Sequence, residues 1–198
     1  MTRTEQALKL AKKMGLVRPK DLASHGIAPV YFRRLLHAGE LIQSSRGVYK
    51  VPSHKPTAHH HLAESCKRIP GGVVCLQSAL HFHGLLKQRP TEIWMAIDRK
   101  ARRPIIEELP VRFVRFSAEG LMQGVEEHSI EGVVVKVTTC SKSVADAFRY
   151  RRKIGTSVAL EALRACIRKR RCPKSELLKC AAACRISTVI APYVEALT

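Results

Sequence analysis

Apolar residues recur at helical spacing near the start of the chain. Ala7, Leu8, Leu10, Ala11 and Met14 share one face, with Thr4 as the expected cap and Gly15 as the stop. A short second helix follows in RPKDLASHG, where Pro19 suits a first turn and Gly26 interrupts before Ile27-Ala28-Pro29. From Pro29 to Ala38, Phe32, Leu35 and Leu36 form an apolar stripe at i, i+3, i+4, and Val30, Arg33, Arg34 and His37 fall on the opposite face. After Gly39, ELIQSSRGVYKV alternates apolar and polar positions around Ser44-Ser45-Arg46-Gly47, which predicts a β-hairpin. Helix, helix, turn, helix, hairpin is the order of a winged helix-turn-helix.

The proline-rich stretch PSHKP (52–56) reads as a linker. Beyond it the pattern predicts a helix over 57–68, a short buried strand in VVCL, and a helix in QSALHFHGLL ending at Gly84 or just after. Strands follow in EIWMAI and VRFVRF, and two more in EEHSIEGVVVKVTT, turned at Glu131-Gly132. From Ser141 the pattern is helical, with Gly155 and Pro173 as punctuation and three or four helices expected. The fold class is therefore α+β. A winged helix-turn-helix at 1–52 precedes a second domain at 57–198, made of a mixed α/β part (57–139) and a helical part (140–198). No internal repeat or low-complexity segment interrupts this organisation.

Charge changes the picture. The 198 residues carry 35 Lys plus Arg against 16 Asp plus Glu, a formal charge of +19, which favours polyanionic partners. Residues 1–51 are net +7, residues 52–139 net +3, and residues 140–198 net +9. Two basic ends flank a nearly balanced middle. The 45% hydrophobic content excludes a disordered chain. Seven irregularly spaced cysteines argue against a disulfide framework and for a reducing compartment. The opening MTRTEQALKLAKKMG lacks an apolar core long enough for a signal peptide, and no run approaches the ~18 apolar residues of a membrane span. The expectation is a soluble cytoplasmic protein with no membrane contact.

A helix-turn-helix lays its last helix in the major groove, where a guanidinium bridges guanine O6 and N7. Arg33 and Arg34 suit that role, with Val30, Tyr31 and His37 beside them. Arg46 and Lys50 on the hairpin suit the backbone or minor groove, and Gly47 permits the sharp turn. Lys12, Lys13, Lys20 and Ser24 are candidates for phosphate contacts. The competing reading is a merely solvated basic face, or a winged helix used only for protein contacts.

RRLLHAGELIQSSRGVYKVP, followed by HLAESCKRIPGGVVCLQSALHFHGLL, EIWMAID and SVADAFRYRRKIGTSVALEALRACI, resembles the AbiEi family of antitoxins and transcriptional regulators from bacterial abortive-infection toxin–antitoxin systems. The resemblance runs over essentially the whole chain; PGGVVCLQSALHFHGL and VADAFRYRRKIG are its most specific segments. It implies a winged helix that binds inverted repeats in the promoter of its own operon, and a following region that neutralises a nucleotidyltransferase toxin encoded alongside. Such systems are of type IV, in which toxin and antitoxin need not form a stable complex, so the toxin is a direct or indirect partner. The family's carboxy-terminal signature falls on Asp146, Phe148, Arg149, Tyr150, Arg151, Lys153 and Gly155, with Glu161 and Arg164 on the next helix. Asp146, Arg149, Arg151, Arg152, Lys153 and Arg164 are the candidate antitoxin surface. Phe148 and Tyr150 also suit a core, and Asp146 with Arg149 or Tyr150 has the spacing of an intrahelical pair. A monomer or weak dimer binding DNA cooperatively is expected.

Other chemistry is poorly supported. His59-His60-His61, with His54, His81 and His83, could suggest a metal site, but adjacent histidines point about 100° apart and the i, i+2 pair His81 and His83 lacks the i, i+4 spacing that puts two ligands on one helix face. Cys180 and Cys184 have that spacing but no second close pair, so they read as small buried hydrophobes. No metal or cofactor is expected. A nuclease using Asp98, Glu131 and Lys136 around Mg²⁺ is the enzyme alternative, but Glu131 reads as a turn residue. No phosphate loop, nucleophile elbow or Asp-x-Asp pair is present, so an enzyme is not expected. A plain transcriptional regulator remains the other alternative, with Leu160, Leu163 and Ile167 as core or dimer contact.

Overall fold

The computed structural model describes residues 2–106 and 108–197. The chain separates into two compact units. The first runs up to Gly71 and takes in His128–Val135; the second comprises Gly72–Glu127 and Lys136 onward. The architecture is α+β.

The first unit opens with α1 (Arg3–Met14), α2 (Pro19–Ala23) and α3 (Pro29–His37), followed by the hairpin of β1 (Ile42–Ser45) and β2 (Val48–Lys50), then α4 (His60–Arg68). The cap of α1 is Thr2, not Thr4. The Thr2 hydroxyl accepts from the Glu5 amide and the Glu5 carboxylate accepts from the Thr2 amide, a reciprocal pair that Thr4, with no Glu or Gln three residues on, cannot make. Ala7, Ala11, Val17, Leu22, Ile27, Phe32, Leu35, Leu41 and Val51 form the core of this unit. The linker 52–56 is tied down within it: His54 and Thr57 both bond Glu131.

Glu131 and Gly132 form the turn between β6 (Val125–Ile130) and β7 (Val133–Thr138). Both have positive φ, 52° and 72°, as a type I′ hairpin turn requires. A Cβ at Gly132 would collide with the Met14 carbonyl oxygen, and one at Gly15 with the Glu131 carbonyl oxygen. The two backbones approach each other only because both positions are glycine.

The second unit contributes β3 (Val73–Val74), α5 (Leu76–Phe82), β4 (Ile93–Asp98), β5 (Val111–Phe116) and α6 (Ala118–Met122), and shares the β6–β7 hairpin. Its sheet has the order β5-β4-β3-β7-β6. β3 pairs antiparallel to β4, with Val73 opposite Ala96, and parallel to β7, with Val74 opposite Val137. β4 and β5 are parallel in register from Ile93–Val111 to Asp98–Phe116.

Among the described residues, five helices follow the sheet rather than three or four: α7 (Cys140–Arg149), α8 (Arg151–Ile154), α9 (Thr156–Arg168), α10 (Lys174–Ala183) and α11 (Ser187–Leu197). The extra boundaries fall at Tyr150 and Arg185. Tyr150 caps both α7 and α8, and Arg185 takes φ 57° between α10 and α11. Helix α7 is buried on every side from Ser141 to Phe148, so the remaining helices pack around it.

Candidate nucleic-acid interface

Helix α3 starts at Pro29, whose missing N–H costs nothing at the first helical position. Phe32 and Leu35 are buried, and Phe32 meets Tyr49 edge to face, with ring centroids 4.9 Å apart. Tyr49 also exchanges two backbone hydrogen bonds of 2.8 Å with Val17, which ties the hairpin to the chain between α1 and α2. The orientation of α3 is thus fixed by core packing on one side and by the hairpin on another.

The opposite face is open. Val30, Arg33, Arg34 and His37 are exposed, and the Arg34 guanidinium lies over the Tyr31 ring, 5.4 Å from its centroid. That contact holds the cation over an aromatic face. Lys20 and Ser24 are exposed on and after α2. The Ser24 hydroxyl donates to the Asp21 carbonyl at 2.8 Å, so its donor is already used. Asp21 itself is neutralised by Lys67 at 2.8 Å and Arg18 at 3.8 Å, which keeps its negative charge from the basic face. On the hairpin, Arg46 is exposed beside Gly47, which has φ 75°, and Lys50 is half-buried.

The basic residues of the second unit separate more sharply. Arg149, Arg152, Lys153 and Arg164 are exposed; Arg151 is half-buried and donates to the Phe148 carbonyl at 2.8 Å. Asp146, expected on the surface, is only 1% exposed. Its carboxylate lies 3.2 Å from the Lys142 ammonium and accepts from the Cys184 thiol at 3.3 Å. Its intrahelical partner is thus four residues before it rather than Arg149 or Tyr150. The reason is the all-round burial of α7, which leaves no solvent face for Asp146. Burial pushes its carboxyl up, opposed by the Lys142 charge and the Cys184 bond. Tyr150 stacks on Phe116 at 5.9 Å and Phe148 is fully buried. Arg164 and Glu161 line an open cavity of ≈ 420 Å³ with Lys87, Arg168 and Lys169. Leu163 is buried, and Leu160 and Ile167 pack half-buried against the same core.

The residues weighed for Mg²⁺ chemistry are otherwise engaged. The Asp98 carboxylate accepts from the Lys100 amide at 2.7 Å, and Lys136 pairs with Glu127 at 3.6 Å. Glu131 accepts from the Thr57 amide (2.7 Å) and hydroxyl (2.8 Å) and meets His54 Nε2 at 2.7 Å and His60 Nδ1 at 2.6 Å. Burial pushes its carboxyl up, and these four partners outweigh that and bring it down to about 2. Ser44 donates to Glu64 at 2.5 Å, and Glu64 sits 3.6 Å from His60 Nε2, which extends the network to β1. Spacing along the chain does not reveal this cluster, because Glu131 lies more than seventy residues from His54 and His60.

No curated protein matches the chain. Among solved structures, the fold is similar to the crystal structure of the RV2827C protein from Mycobacterium tuberculosis. The TM-score is 0.57 at 16% identity, over 92% of this chain and 75% of that one. Among the described residues no helix is long and apolar enough to cross a membrane. Residues 5–52, which contain most of α1, all of α2 and α3, and the hairpin, match the family described as transcriptional regulator, AbiEi antitoxin.

Proposed function

We propose that the protein is a transcriptional repressor and antitoxin, with α1 to α3 and the β1–β2 hairpin acting as a winged helix-turn-helix on inverted repeats in its own promoter. The observation that carries this reading is α3 itself. Phe32 and Leu35 anchor it while Arg33 and Arg34 project from the opposite face, in the segment that matches the regulator family. Arg33 and Arg34 read base edges with Val30, Tyr31 and His37 beside them; Arg46, Lys50 and Lys20 hold the backbone, whereas the Ser24 hydroxyl is spent on the Asp21 carbonyl. The chain acts in the cytoplasm as a monomer or weak dimer that occupies neighbouring repeats cooperatively.

The test is titration of the protein against its own upstream DNA and a scrambled duplex of equal length at several salt concentrations. With about six to eight phosphate contacts, log affinity should fall with log salt at a slope of roughly −5 to −7, with clear preference for the upstream sequence. A steep slope without preference would overturn the repressor reading.

The second unit neutralises a cognate nucleotidyltransferase toxin, directly or indirectly. The exposed basic residues Arg149, Arg152, Lys153 and Arg164 are the surface for it, whereas Asp146 supports α7 from inside. Charge reversal at Arg149 and Arg152 should lower protection in cells expressing the toxin while repression of a promoter reporter stays intact. Loss of both together would report misfolding and remove these residues from the proposed surface.

A further inference from the structure

Three of the seven cysteines come together from distant parts of the second unit. Cys140 is the first residue of α7, Cys166 lies in the last turn of α9, and Cys172 follows the loop after it. That loop reverses sharply: Arg170 has φ 50°, and the Arg171 amide donates to the Cys166 carbonyl at 3.0 Å, which returns the chain beside α9 before Pro173. The sulfurs of all three lie within 4.8 Å of one another, with Cys140 and Cys172 at 3.1 Å. The structure joins Cys166 and Cys172 as a disulfide.

We propose that, once that disulfide is reduced, Cys140, Cys166 and Cys172 form a three-thiolate site for Zn²⁺. A tetrahedral zinc ion with bonds of about 2.3 Å holds its sulfurs about 3.8 Å apart, a spacing within the span of this cluster. Reduction by a dithiol reagent transfers two electrons to the Cys166–Cys172 bond, giving two thiols while the reagent closes its own disulfide. Binding then exchanges three thiol protons for one metal ion, leaving a net charge of −1 on the site. Two features favour that charge: Arg171 hydrogen-bonds the Cys140 sulfur, and Cys140 sits at the positive end of α7. Three protein ligands leave one coordination position open to solvent or to a partner's donor.

The full chain, reduced and chelator-stripped without oxygen, is titrated with Co²⁺ as a spectroscopic stand-in and then with Zn²⁺. A near-ultraviolet thiolate-to-cobalt band should saturate at one equivalent and vanish as Zn²⁺ displaces Co²⁺. Cys140→Ser and Cys172→Ser should each weaken Zn²⁺ binding at least about tenfold, with circular dichroism confirming that they fold, and Cys180→Ser should not. Absence of the band in protein whose seven cysteines all titrate as thiols would overturn the site. So would unchanged affinity in both ligand variants, or a Cys166–Cys172 bond that survives the reductant.

Discussion

Glu131→Ala is expected to destabilise the first unit by about 2–4 kcal/mol, the cost of leaving two largely shielded donors unsatisfied, read as a lower urea midpoint at unchanged slope. The side chain is 2% exposed, and its two oxygens take the Thr57 amide and hydroxyl, His54 and His60. Alanine removes the acceptor from all four partners; the exposed Thr57 groups can turn to solvent, and the loss comes mainly from His54 and His60, whose side chains are only 15% and 21% exposed. Glu131→Gln keeps one acceptor oxygen and should cost less. The same group sets an acid limit. Its carboxyl is lowered from 4.5 to about 2 in the folded chain, so the stability it contributes is present above about pH 4.5 and is lost as pH falls toward 2. After allowance for solvent screening this contribution is on the order of 2 kcal/mol. If the wild type and Glu131→Gln lose stability in parallel between pH 5 and 3, Glu131 is not the source of acid sensitivity.

Arg33→Ala combined with Arg34→Ala should lower affinity for the promoter repeats by about 2–6 kcal/mol, about 1–3 for each bidentate base contact. Both side chains are exposed and neither supports the core, so the double variant should unfold at the wild-type midpoint. Binding to scrambled duplex should change far less, since phosphate contacts from Lys20, Arg46 and Lys50 remain. A double variant that keeps its preference for the repeats would move readout away from α3. Equal losses on both duplexes would reduce the two arginines to backbone contacts.

The elements before residue 52 were legible because they are local. The stripe of Phe32, Leu35 and Leu36, the proline at the start of α3 and the glycine of the hairpin each act over a few residues. Even there, the cap of α1 turned on whether a Glu stood three residues further on. The β6–β7 turn at Glu131-Gly132 was visible for the same reason. What sequence spacing hid was every arrangement made by tertiary contact. Asp146 has the composition of a surface position and lies inside α7's wrapping; α6 is a single short helix with no buried residue to give it a stripe. Glu131 reads as a turn residue, and only the folded chain shows what its carboxylate holds. The three cysteines from 140 to 172 carry no recognisable spacing, because a buried helix and a reversed loop bring them together.

The first unit is discontinuous, and this governs when it can exist during synthesis. Gly71 leaves the ribosome well before His128–Val135 is translated, and that later segment brings Glu131 to the waiting His54, Thr57 and His60. At about 5–20 residues per second, the nascent amino-terminal segment spends roughly 3–13 s without its clasp. A chaperone that recognises nascent chains would meet it in that interval.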